Sequence, residues 1–179
     1  MRLLSKILNF FKALNGNVSK AQLAAGFACG VLLALIPAGN LLWIALYLVF
    51  MFFKINAAAE FLTIGILKLA YGAFAPLTDA AGWSILGSPA LQGFFTRLYN
   101  TPIVPFTRFN NSLVMGGLAV GLGAWIPLFI LFFILIGLYR RRISPRLKNS
   151  GFYKAIAKHP FVQKLADIGA KAASVAGGK

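Results

Sequence analysis

Two stretches of this chain, residues 21–53 and 109–139, run for more than 30 positions without a charged side chain. One bilayer crossing needs about 20 apolar residues, so the first stretch is too long for one crossing and short for two. At its centre stands IPAGN. Pro37 lacks a backbone donor and disrupts a helix, while Gly39 and Asn40 permit a turn. A soluble fold would have to bury both stretches in one core, and a chain of 179 residues has too little interior for that. Charged residues make up 12% of the chain, against about 25% in a soluble domain. These features predict an all-α, polytopic integral membrane protein with broken or re-entrant helices.

The formal net charge is +15, and Glu60, Asp79 and Asp167 are the only acids. The basic residues flank the apolar stretches. Arg2, Lys6, Lys12 and Lys20 precede the first, and Arg140, Arg141, Arg142, Arg146 and Lys148 follow the last. That distribution is the positive-inside pattern, so both termini are expected in the cytoplasm. Anionic membrane phospholipids, not nucleic acid, are the expected counter-charge.

Three domains are expected: a basic amphipathic helix within 1–18, a membrane domain over 19–143 and a basic cytoplasmic tail over 144–179. Leu4, Ile7, Leu8, Phe11 and Leu14 recur at helical spacing in the first. Ser19 and Gln22 form a capping box for the next helix. Gly26 and Gly30, four apart, offer a surface on which another helix can pack closely, as do Gly116, Gly117, Gly121 and Gly123. Residues 57–109 read as a mixed linker with a short helix near 90–99. Glu60 and Lys68 lie on roughly one helical face, either as a polar lining or as interfacial groups. The last apolar helix restarts at Asn111 or Ser112 and is interrupted at Pro127.

A shift of 90 residues lays Gly26 on Gly116, Ala34 on Ala124 and Ile36-Pro37 on Ile126-Pro127. This predicts an internal repeat with units at about 20–56 and 110–143, and helix breaks at Pro37, Gly39, Asn40 and Pro127. Arms over 22–36 and 40–53 would each measure about 21 Å at 1.5 Å per residue. The lengths favour a hairpin over one kinked helix of about 50 Å.

The segment GFACGVLLALIPAGNLLWIALYLVFMFFKIN, with Gly26, Gly30, Pro37, Gly39, Lys54 and Asn56, resembles an uncharacterised family of small bacterial inner-membrane proteins. That family combines a glycine-spaced helix, a Pro-x-Gly turn and a closing Arg/Lys-x-Asn. Its usual polar residue after the turn is often His, where this chain has Asn40. The resemblance implies an inner-membrane location. Its subset found beside large AsmA-like envelope proteins implies an adaptor or anchoring role, with assistance to phospholipid transport.

No catalytic constellation is visible. Cys29 is a lone cysteine in an apolar stretch, and the single His159 lies in the basic tail. No metal-ligand spacing, phosphate loop or nucleophile–base–acid set occurs. The expectation is therefore a non-enzymatic protein with no cofactor and no metal. It would serve as an envelope adaptor or, alternatively, as a small transporter or channel for an ion, solute or lipid, with a homo-oligomer as a candidate assembly in the second case.

Overall fold

The computed structural model describes residues 18–143. The amphipathic segment 2–14 and the basic tail 144–179 lie outside the described residues. The helices are α1 (Lys20–Leu35), α2 (Leu41–Met51), α3 (Ala57–Leu69), α4 (Tyr71–Leu86), α5 (Gln92–Tyr99) and α6 (Ser112–Leu138). Short 3₁₀ turns at Pro89–Leu91 and Val104–Thr107 flank α5. One compact unit reaches to Ile136. The segment from Gly137 holds the end of α6 and a π-helical turn, Tyr139–Ile143, that carries Arg140, Arg141 and Arg142.

The first helix starts where its cap chemistry allows. Ser19 Oγ accepts from the Gln22 N–H at 3.1 Å, and the Gln22 side chain accepts from the Ser19 N–H at 3.3 Å. Ten of its sixteen residues are buried, which makes α1 the central helix of the unit. The chain leaves it at Leu35, passes Pro37 and Gly39 (φ +85°), and re-enters helix at Leu41. A positive φ is accessible to glycine without steric cost, and it lets the chain reverse. Beyond α2, the Asn56 N–H donates to the Gln22 carbonyl at 3.0 Å, so residues 22–56 form a closed hairpin.

Three contacts fix the direction of α3. Gly26 faces Asn56 and Ala59, Gly30 faces Glu60 and Thr63, and Ile36 meets Lys68. Both helices advance together, so α3 runs parallel to α1. α6 runs antiparallel to α1: Gly117 lies on Leu35, Gly121 on Leu32, Trp125 beside Cys29, and Phe133 under Lys20. α4 turns away from α3 by 88° after Ala70 and packs antiparallel on the start of α6. There Gly116 meets Thr78 and Gly82 meets Ser112, backbone against backbone. The adjacent Gly116 and Gly117 thus let α6 lie against α4 on one side and α1 on the other.

Four expectations are corrected by this arrangement. Pro127 makes no break, because α6 is continuous from Ser112 to Leu138. Leu128, Phe129 and Ile130 follow it, none of them a turn former, and a helix can absorb an isolated proline where neighbours re-satisfy its backbone. The two proposed repeat units consequently differ in shape: 20–56 is a hairpin, while the second is a single long helix. Residues 57–109 are no linker, since α3 and α4 supply the closest partners of α1 and α6. Gly123 also departs from expectation, with open space where a Cβ would stand.

Gly116 and Gly123 sit in the same helix and differ only in what faces them. Gly116→Ala drives a Cβ into the Thr78 carbonyl and is expected to cost about 1–3 kcal/mol. Gly123→Ala should be neutral or stabilise by up to about 1 kcal/mol through helix propensity. Thermal unfolding of both variants in detergent measures the contrast, and equal melting points would remove the packing role of Gly116.

Candidate functional site

The break between α1 and α2 gathers the side chains of Asn40, Trp43 and Lys68 around its free carbonyls. A helix end leaves carbonyls without intrahelical donors, and a proline removes one more donor four residues on. The carbonyl freed by Pro37 is that of Leu33. It accepts from the Trp43 indole Nε1 at 2.9 Å. The Ile36 carbonyl accepts from the Lys68 ammonium at 2.6 Å, and the Pro37 carbonyl accepts from Asn40 Nδ2 at 2.5 Å. Asn40, 3% exposed, also caps α2 by accepting the Trp43 N–H on Oδ1 at 2.9 Å.

Lys68 comes from the last turn of α3, and its ammonium also lies 5.0 Å from the centre of the Tyr71 ring. A cation beside the final carbonyls of α1 opposes the negative end of that helix dipole. The Lys68 position therefore depends on α3 running parallel to α1. Asn56 sets that alignment: its side chain caps α3 by accepting the Ala59 N–H at 2.8 Å, while its backbone bonds Gln22.

Glu60 stands apart from this cluster, about 15 Å along α1 from Lys20 and opposite Gly30. It is 2% exposed, and its Oε1 has no hydrogen-bond partner. Thr63, one turn on, spends its hydroxyl on the Ala59 carbonyl. Glu60 and Lys68 thus share a helix but do not meet in one site. A buried carboxylate without a partner is costly, whereas Lys68 is satisfied. Asp79 is engaged elsewhere and accepts from the Ser112 hydroxyl.

The sequence-predicted residues fall into separate roles. Pro37, Gly39 and Asn40 form the turn, and Gly26, Gly30, Gly116, Gly117 and Gly121 face other helices. Asn111 caps α6 by accepting the Val114 N–H, and Asn110 is exposed. Sequence reasoning missed Trp43, although Pro37 marks Leu33 as a carbonyl in need of a donor. It also missed Gly82 and Tyr71, for which no local signal exists. Among the described residues no group of three His, Cys, Asp or Glu side chains is placed to hold a metal.

Comparison with known proteins adds one relative. The chain is similar to an uncharacterized protein of Treponema pallidum (strain Nichols), with 27% identity over 158 residues, covering 88% of this chain and 98% of that one. No family model matches the chain. No solved structure matches it.

Removing charge from Lys68 and from Glu60 should have opposite consequences. Lys68→Met leaves the Ile36 carbonyl without its donor and is expected to cost about 1–3 kcal/mol. Glu60→Gln removes a charge that has no partner, and its melting point in detergent should equal or exceed that of the wild type. A Lys68→Met variant as stable as wild type would show that the ammonium does not hold the break.

Proposed function

We propose that this chain is an integral protein of the bacterial inner membrane, acting without catalysis as an adaptor or anchoring subunit of an envelope complex. The observation that carries the membrane reading is α6. Together with the turn after it, this helix spans Ser112–Arg142, long and apolar enough to cross a bilayer, and 11% of its most apolar window is buried. Leu122, Ile126, Ile130, Leu131 and Ile134 face outward along it. A soluble core helix of such composition would be largely covered; lipid supplies the missing cover here.

In this reading α6 is also a ruler. From Phe133, level with Lys20, to Gly117, level with Leu35, is about 24 Å. The 20–56 hairpin then enters from the Lys20 side and nearly reaches the far edge of a core about 30 Å thick. Its tip is tolerated because Trp43, Lys68 and Asn40 occupy the carbonyls that lipid cannot. The basic residues before α1 and the arginines after α6 in the sequence support a cytoplasmic Lys20 side.

The adaptor role draws support from the close packing of α1 against α3 and α6, where glycines bring backbones together. Phospholipid transport and an AsmA-like partner rest on the family resemblance. A second reading, a small transporter, is favoured by Glu60, which lies near mid-depth, where an ionisable side chain is a functional candidate by default.

Cysteine accessibility tests the membrane reading. In a Cys29→Ala background, Lys20→Cys and Lys54→Cys should both react with an impermeant maleimide from the cytoplasmic face, and Asn110→Cys only from the opposite face. Reaction of Lys54→Cys from the face opposite Lys20→Cys would overturn the hairpin assignment. Co-purification in mild detergent tests the role: one large envelope protein is expected with the chain, and a homo-oligomer without a partner would favour transport.

A further inference from the structure

The break and Glu60 leave unused a cleft at the start of α6. It has a volume of about 590 Å³ and lies between the end of α4, α5 and the start of α6. That size is within the range of small-molecule sites, about 300–1,000 Å³. Its floor is Phe109, 6% exposed, whose ring stacks on Phe95 at 6.0 Å and meets Tyr99 edge-on at 6.4 Å. Trp83 and Tyr99 line the walls and remain 65% and 52% exposed, so aromatic surface is available to a ligand.

Amides make up the other half of the chemistry. Asn100 and Asn110 line the cleft with no side-chain hydrogen bond among the described residues. Asn111 commits Oδ1 to the Val114 N–H and retains its Nδ2. An amide offers both a donor and an acceptor, which is what a hydroxyl needs. Among the described residues no charged side chain is in the lining, and the neighbouring Asp79 is occupied by Ser112. A phosphate would find no cation in the lining and an ammonium no carboxylate. A purely apolar ligand would bury the amides unpaired, which is unfavourable.

We propose that this cleft binds a neutral hexose ring, its C–H face against Trp83 and Tyr99 and its hydroxyls on Asn100, Asn110 and Asn111. The sugar is either free or the headgroup of a glycolipid. Ser112 lies about 31 Å along α6 from Phe133. In the membrane reading the cleft therefore opens at the non-cytoplasmic headgroup boundary, where both sources can reach it. Tryptophan and tyrosine also gather at that boundary as simple anchors, but anchoring calls for neither a concave lining nor unpaired amides.

The test uses the full chain purified in lauryldimethylamine oxide, since glycoside detergents would compete. Methyl β-D-glucopyranoside is titrated by saturation-transfer NMR. Glucosyl-dioleoylglycerol, dioleoylglycerol and dioleoylphosphatidylglycerol are compared for retention in phosphatidylcholine nanodiscs by native mass spectrometry. Binding of the glucoside assigns a free sugar, and binding confined to the glycolipid assigns a headgroup; both support the site. Trp83→Ala with Tyr99→Ala, and separately Asn100→Ala with Asn110→Ala, should each weaken that binding at least tenfold. All four residues are exposed, and circular dichroism checks that the variants fold. Dioleoylglycerol or phosphatidylglycerol retained as well as the glycolipid, no sugar-dependent binding, or unchanged binding by both double variants would overturn the proposal.

Discussion

The backbone approach of α1 to its neighbours is the constraint on which the remaining architecture depends. At Gly26 and Gly30 the missing side chains admit the backbone of α3 on one face, and at Gly117 and Gly121 of α6 the same device works on another. In the membrane reading proposed above, helices gain little from the hydrophobic effect on associating, so close packing through small residues supplies much of the attraction. Once α3 is seated parallel on α1, its last turn carries Lys68 to the carbonyls where α1 ends. Once α6 is seated antiparallel, Gly116 is turned toward α4. A bulky residue at Gly30 would thus disturb a carbonyl some six residues farther on, through the register of α3.

The break at IPAGN then becomes affordable as a matter of hydrogen bonding rather than of flexibility. Three carbonyls, of Leu33, Ile36 and Pro37, lose helical donors there, and each acquires a replacement from a different place in the chain. Asn40 is local, Trp43 belongs to the returning arm, and Lys68 comes from the next helix. Pro127 illustrates the other outcome. The residues after it continue as helix, the chain does not reverse, and α6 keeps its full length. Similar glycine–proline spacing in the two halves therefore produces a hairpin in one and a long span in the other.

The polar content of the unit is sparse and mostly committed. Lys68 and Asn40 serve the break, Asp79 and Ser112 serve each other, and Asn56 stitches the hairpin shut while capping α3. Among the described residues the buried polar atoms without a partner are Glu60 Oε1, opposite Gly30, and the Tyr71 hydroxyl, and the amides around Phe109 are also uncommitted. Glu60 and those amides are separated along the bundle by roughly half its length.

Local chemistry sufficed for the elements that depend on neighbours in sequence. The Ser19–Gln22 capping box, the stop at Pro37, the turn at Gly39, the restart of α6 at Ser112 and the small-residue faces were all legible, because caps, prolines and four-residue spacings act within one or two turns. The all-helical class followed from the apolar stretches. Tertiary structure alone decided the rest. Nothing near Lys68 indicates a carbonyl 32 residues earlier, nothing near Gly82 indicates Ser112, and the 88° bend after Ala70 has no proline at its apex. Residues 57–109 looked like a connection because their charges and turn formers dilute the apolar pattern, yet α3 lies in closest contact with the central helix. Pairing between distant segments is a property of complementary surfaces, and a one-dimensional pattern does not contain the surface it will meet.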